Sequence, residues 1–330
     1  MTGQRRLSLN WFVQSRLKLR HLQLLVALHR HQKLQLAADS VGLSQPAASK
    51  LLTDLEAAMG HALFDRRGRF LEPNPVGVIL TRHAQTVLSE LESARDEINT
   101  FQDGHLGRVA IGSIDAPAIL TVTAAVARAQ ALYPRMEVEV QADSSNVLLE
   151  RLISGQLDMV LGRRTSNEHS RQFSYHEIGD ESLLLIGHVD HPLRSHARLT
   201  PAQLHDESWI LQARGSRLRA RVDAMFHQSG LQPPERIVSA NSLLMTLAYV
   251  TATNALSIVS EAVALQQEAC GQLAILPLAR KISAGRYGLI LPSQKPLSPA
   301  SATMLRLLFP DPPEPLRKAL SALMPPGFSL

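Results

Sequence analysis

The 330 residues carry 34 Lys+Arg against 29 Asp+Glu, a formal net charge of +5, with 45% hydrophobic residues and one cysteine. That apolar content excludes a disordered chain, and the length suits about two domains. The single thiol, Cys270, excludes an internal disulfide, a cysteine-cluster zinc site and a dithiol redox switch, and fits a reducing compartment.

Residues 1–82 hold 12 Lys+Arg and 5 Asp+Glu, a balance of +7, whereas the remainder holds 22 and 24, or −2. Such asymmetry suits an end that meets a polyanion, but a solvated basic face gives the same count, so charge alone leaves both readings open. The start, Met1 to Ser8, lacks the apolar core of a secretory signal, so no export is expected. Ala240–Ser260 carries no charge but is broken by Asn241, Ser242, Thr246, Thr251, Thr253, Asn254 and Ser257, which makes it too polar for a bilayer span; no membrane partner is predicted.

In chain order, Leu19, Leu22, Leu25, Val26 and Leu28 recur at helical spacing and predict a helix over 19–29. Leu34, Ala37, Ala38 and Val41 predict a second over 34–41, ended by Gly42. Ser44 as N-cap and Pro46 in the first turn start a third, over 45–59, which stops at Gly60. Its apolar face is Ala48, Leu51, Leu52, Leu55 and Met59, which leaves Gln45, Ala47, Ser49 and Lys50 on the other side. An amide, a methyl, a hydroxyl and a cation are the groups that read base edges and phosphates in a major groove. This pattern is a helix-turn-helix. Residues 62–71 then place apolar residues on either side of a basic turn at Gly68, predicting a two-stranded wing whose Arg66, Arg67 and Arg69 would lie along phosphates.

The segment Leu43-Ser44-Gln45-Pro46-Ala47-Ala48-Ser49-Lys50, with Leu55-Glu56 and Gly60-His61-Ala62-Leu63-Phe64-Asp65-Arg66, strongly resembles the LysR-type transcriptional regulators. By this resemblance Gln45, Pro46, Ser49 and Lys50 occupy recognition-helix positions. The chain departs from the family at Gln32-Lys33-Leu34-Gln35 and at Leu71 to Gly77, where Asn74 and Pro75 still make a sound helix start. An extension, 1–17, precedes the head, 18–74.

Leu80, Ala84, Val87, Leu91, Ala94, Ile98 and Phe101 then alternate spacings of four and three, an a/d seam on a linker helix over 75–104 that predicts a coiled-coil homodimer. The resemblance implies a homodimer or a homotetramer. It also implies an α/β effector domain over 105–330, built of two Rossmann-like subdomains similar to periplasmic solute-binding proteins, behind the winged helix-turn-helix and the linker helix. The residues agree, because strand-like runs at 109–112, 136–140, 158–162, 183–188, 209–211, 236–239, 257–259 and 287–291 alternate with helical stretches at 119–132 and 147–154. Subdomain I is expected over 105–168 and 266–330, and subdomain II over 169–265, with crossings near Ser166–Gln172 and Ala262–Cys270.

Ligands in such sheets sit beyond the carboxyl ends of strands. Asp115 and Ala116 follow the first strand, Ser145 the second and Arg163 the third. The resemblance places Ser145 and Arg163 along the effector cleft, and Gly215-Ser216 and Ser242 are the candidates from the other subdomain. Arg163 suits a carboxylate. Equally, Asp115 and Ser145 suit helix caps, and Arg163 suits a pair with a nearby acid. No G-x-S-x-G, H-E-x-x-H, P-loop or G-x-G-x-x-G supports catalysis, so neither an enzyme nor a cofactor is expected. The sequence therefore reads as a cytoplasmic, sequence-specific DNA-binding regulator of transcription. Its partners would be double-stranded DNA, a small effector, a carboxylate among the candidates, and RNA polymerase; the alternative is a nucleoid-type protein that ignores small molecules.

Overall fold

The computed structural model describes residues 17–103, 107–164, 172–293, 297–312 and 314–323. The extension 1–16 and most of the expected first crossing lie outside the described residues. The chain divides into two compact units: the first runs to Gly107 and takes in Glu150–Leu157, and the second comprises Arg108–Leu149 and Asp158 onward.

In the first unit, α1 (Leu19–His31), α2 (Leu34–Ser40) and α3 (Gln45–Met59) form the head. Leu24, Leu25 and Leu28 of α1 are buried, as are Ala37 and Ala38 of α2 and Ala48, Leu52, Leu55 and Met59 of α3. Small residues on α2 and at Ala48 let backbones approach closely. Gly42, with φ 66°, makes the turn between α2 and α3, and the Leu43 amide donates to the Ala38 carbonyl at 2.9 Å. The wing is β1 (Phe64–Arg67) paired antiparallel with β2 (Phe70–Pro73). It is tied to the head where the Leu71 amide donates to the Gln32 carbonyl at 2.8 Å and where the Lys33 ammonium sits 5.2 Å from the Phe70 ring centroid.

The linker helix α4 runs Pro75–Asp103. Asn74 starts it, its Oδ1 accepting from the Gly77 amide at 2.9 Å while its Nδ2 donates to the Ala62 carbonyl at 2.8 Å. The predicted seam divides: Leu80 and Ala84 pack into the head's own core, whereas Val87, Leu91 and Ile98 stand exposed. Phe101 lies among residues whose side chains are outside the description.

In the second unit, β3 (Arg108–Ser113), β4 (Glu137–Ala142) and β5 (Met159–Gly162) are parallel. They are joined through Asp115–Pro117 (α5), a π turn Ala118–Val122, Thr123–Leu132 (α6) and Ser145–Ile153 (α7). The long strands β6 (Phe173–His188) and β11 (Ile282–Pro292) pair antiparallel along their length; β11 joins β5, and β6 carries β9 (Ser257–Ser260) and β10 (Leu273–Leu276). One mixed seven-stranded sheet results, with β7 (Trp209–Leu211) and β8 (Ile237–Ser239) forming a separate parallel pair. The remaining helices are α8 (Pro201–Leu204), α9 (Arg217–His227), α10 (Leu243–Ala252), α11 (Glu261–Ala269), α12 (Pro299–Leu308) and α13 (Glu314–Leu323).

The expected second crossing at Ala262–Cys270 is corrected: it is α11, started by the Ser260 hydroxyl. Its apolar face packs into a core with Ile186, Ile210 and Val259, and β6 and β11 make the long connections instead.

Gly77 supplies a test of the head's packing. A Cβ there would fall 2.0 Å from the Leu63 carbonyl oxygen, a backbone atom that cannot swing aside. Gly77→Ala is expected to destabilise the chain by about 1–3 kcal/mol, read as a lower urea midpoint without a change in slope.

Candidate nucleic-acid interface and ligand cleft

The first turn of α3 is presented outward because its opposite side is fixed in the core by Ala48 and Leu52. Ser44 caps it, its Oγ accepting from the Ala47 amide at 3.4 Å, and Pro46 occupies the first turn without losing a bond. Gln45, Pro46, Ala47 and Lys50 are exposed and Ser49 is half-buried. No side-chain hydrogen bond or ion pair is described for Gln45 or Lys50, so the face is free to take a partner. At the wing, Gly68 has φ 63° in a two-residue loop, the conformation that hairpin turns assign to glycine. Arg66, Arg67 and Arg69 are exposed around it. Arg67, largely in solvent, pairs with the half-buried Glu72 at 3.1 Å, a surface pair too weak to withhold Arg67 from a phosphate.

In the second unit the strand ends converge on Arg163. The Ser145 hydroxyl oxygen accepts from the Arg163 amide at 3.0 Å. The Arg163 guanidinium is buried and meets Glu181 of β6, itself buried. The acid that pairs with Arg163 therefore lies inside, on a residue the sequence reading did not single out. Asp115, Tyr175, Asp180 and Arg217 lie near enough to shift Arg163, whose pKa is pushed down to about 10, first by burial and then by Arg217. Burial raises the Asp115 carboxyl above its usual range, against the opposing pull of Arg163. The Arg217 side chain donates to the Arg164 carbonyl at 3.3 Å, linking the start of α9 to the end of β5.

The other candidates serve backbone. Ser216 caps α9, accepting from the Arg219 amide at 3.2 Å; Ser242 caps α10, accepting from the Met245 amide at 3.2 Å; Ala116 is buried. No hydrogen bond among the described residues joins Ser242 to the Arg163 group. A separate cavity of about 770 Å³ runs along α9 and β8, with Arg214, Arg219, Asp223, His227, Glu235 and Ser239 in its wall, and contains none of the predicted ligand residues. Among the described residues, no cluster of three or more His, Cys, Asp or Glu suits a metal, and no helix is long and apolar enough to cross a membrane.

A family model described as the LysR substrate binding domain matches residues 102–310, and one described as a bacterial regulatory helix-turn-helix protein, lysR family, matches 19–78. The chain is 40% identical over 321 residues to the HTH-type transcriptional regulator GbpR of Azospirillum brasilense, covering 97% of this chain and 94% of that one. It is 35% identical over 243 residues to the regulator of the same name from Rhizobium radiobacter, covering 73% and 80%. Among solved structures, CbnR, a LysR family transcriptional regulator, matches in fold with a TM-score of 0.63 at 19% identity, over 88% of this chain and 98% of that one.

Asp115 makes the electrostatics testable. Its raised pKa means that folding disfavours its charged form, so it costs stability above that pKa and the cost vanishes below the unfolded-state value. Asp115→Asn is expected to raise the melting temperature at neutral pH, with the gain disappearing on acidification through the carboxylate range; pH-resolved thermal melts measure both.

Proposed function

The chain belongs to the LysR-type transcriptional regulators, and on that premise we propose how its residues divide the work of a DNA-binding, effector-responsive regulator. That membership sets aside the nucleoid-type alternative and any enzymatic role. In the proposed reading, α3 enters the major groove of an operator. Gln45 bonds an adenine edge, Ser49 and Lys50 reach neighbouring bases or phosphates, and Ala47 meets a thymine methyl, while Ser44 and Pro46 hold the tip in shape. Arg66, Arg67 and Arg69 contact phosphate and release counterions. The observation that carries this reading is the exposure of Gln45 and Lys50 on a helix whose other side is locked in the core. CbnR, similar in fold, has been solved with its target DNA.

Val87, Leu91 and Ile98 would be covered by the same helix of a second copy, so the unit on DNA is a homodimer, or a homotetramer of two such pairs. Asp115, Ala116, Ser145, Arg163, Ser216 and Ser242 mark the effector region of the second unit, with Arg163 at its centre. A carboxylate effector would have to displace Glu181 from that arginine. In this reading the protein works in the cytoplasm, and RNA polymerase is a candidate partner.

Gln45→Ala is expected to weaken operator binding by about 1–3 kcal/mol while sparing random duplex. Arg67→Ala should weaken both DNAs alike and lower the salt slope by about one. Fluorescence anisotropy across a salt series reads the two effects; equal losses on both DNAs for Gln45→Ala would refute its reading role. Leu91→Asp with Ile98→Asp should shift the chain to monomer in analytical ultracentrifugation, and an unchanged mass would remove the proposed seam.

A further inference from the structure

Arg219 of α9 is only 4% exposed, and its bonds hold one side of the guanidinium. The Nε–H donates to Asp223 at 2.8 Å, one turn along the same helix, and the Arg219 amide donates to the Ser216 hydroxyl oxygen at 3.2 Å. Those bonds fix where the residue stands without occupying its far end. Among the described residues, neither terminal nitrogen, Nη1 or Nη2, has a hydrogen-bond partner, and neither is a fully buried atom left without one. Both therefore keep open surface. With so little of Arg219 exposed, that surface opens into the cavity of about 770 Å³ in whose wall the residue stands.

Arg219, Asp223 and His227 line this cavity at intervals of one helical turn, and the connection from α9 to β8 adds Pro233, Pro234 and Glu235. Consecutive prolines, the second of them buried, restrict the backbone of that connection. Arg214, exposed just before α9, is also in the wall, and no hydrogen bond or ion pair is described for its side chain.

The chemistry of a ligand follows from these groups. An arginine whose Nε is engaged presents its two terminal amino groups as a planar fork of donors with no acceptor of its own. Two coplanar oxygens on one anion match that fork, which is the geometry of a carboxylate. The rest of the wall sets the charge. Arg214 and Arg219 stand with Asp223 and Glu235, two cations with two acids, so a second negative charge on the ligand would lie among acids already equal in number to the cations.

We propose that the cavity along α9 and β8 is a second ligand site, separate from the Arg163 region, that takes a small monocarboxylate, with Arg219 as the anchor and Arg214 as the outer cation. Asp223 holds the anchor in place from the Nε side, so the anion need not displace it. The proposal is independent of what the Arg163 region binds.

The test is calorimetry on the full-length chain at low salt, with acetate, propionate, lactate and benzoate, their methyl esters, succinate and inorganic phosphate. At least one monocarboxylate is expected to bind more tightly than its ester, succinate and phosphate by about tenfold or more, the worth of a charge-assisted hydrogen bond. Arg219→Gln with Asp223→Asn removes both charges together and should lose that binding by the same factor. Arg214→Ser, an exposed change that leaves the core alone, should weaken it by about threefold, the scale of an exposed ion pair. Arg163→Gln with Glu181→Gln should leave it unchanged. Absence of monocarboxylate binding, or equal binding of the esters, overturns the proposal, and tighter binding of succinate or phosphate overturns the ligand class. Binding that ignores Arg214→Ser, or that fails in the Arg163/Glu181 double variant, refutes the location, whether or not the Arg219/Asp223 double variant folds.

Discussion

The antiparallel pairing of β6 with β11, from Ile282 opposite Leu183 to Pro292 opposite Phe173, holds the second unit together as one sheet. On one side β11 reaches β5 and the parallel strands that end at Asp115, Ser145 and Arg163; on the other, β6 carries β9 and β10. Two irregularities adjust the ribbon. At the first, Gly285, with φ 94°, lies opposite Glu181, and Ala284 is the extra residue. At the second, Gly288 lies so close to the His176 carbonyl that a Cβ would sit 2.2 Å from it. Bulges re-aim side chains, and here one of them stands where Glu181 is delivered to Arg163.

A buried ion pair gives a fold little net stability, because desolvating both charges offsets most of their attraction. Leucine-like residues would fill the same space at no electrostatic cost. The pair between Arg163, just beyond β5, and Glu181, midway along β6, is therefore a poor source of cohesion for the sheet. The contrast within the same unit is Arg219, also buried, whose Nε reaches Asp223 at 2.8 Å one helical turn away. That pair closes on its own helix; the Arg163 pair joins the end of β5 to β6.

The head was legible in the sequence because its determinants are local. Helical spacing of leucines, Ser44 as cap, Pro46 in the first turn and glycines at 42, 60 and 68 each act within a few residues, and each is where the structure uses it. The linker seam was legible in period but not in partner, since Leu80 and Ala84 share one stripe with Leu91 while packing against their own head. The ribbon was legible only in part: 183–188 and 287–291 read as strands, but not their length or their pairing. Tyr175-His176-Glu177-Ile178-Gly179-Asp180 shows no clean alternation, and its partner strand lies more than a hundred residues onward. Glu181 was missed for the same reason: nothing near it in sequence points to Arg163. The strand ends named Arg163, Ser145 and Asp115, which the structure brings together, whereas Ser216 and Ser242 cap helices, a role their local sequence already signals.

An effector shifts a protein between arrangements only by its difference in affinity for them, and typical couplings are about 1–3 kcal/mol. Both partners of the Arg163–Glu181 pair are buried, so separating them would leave lone buried charges at a cost of about 3–5 kcal/mol. Arg163 follows the end of β5 and Glu181 lies on β6, so any change in the relative placement of those strands acts on the pair. The pair therefore resists such a change, and a ligand that moved the two strands apart would have to offset a cost as large as a typical coupling or larger.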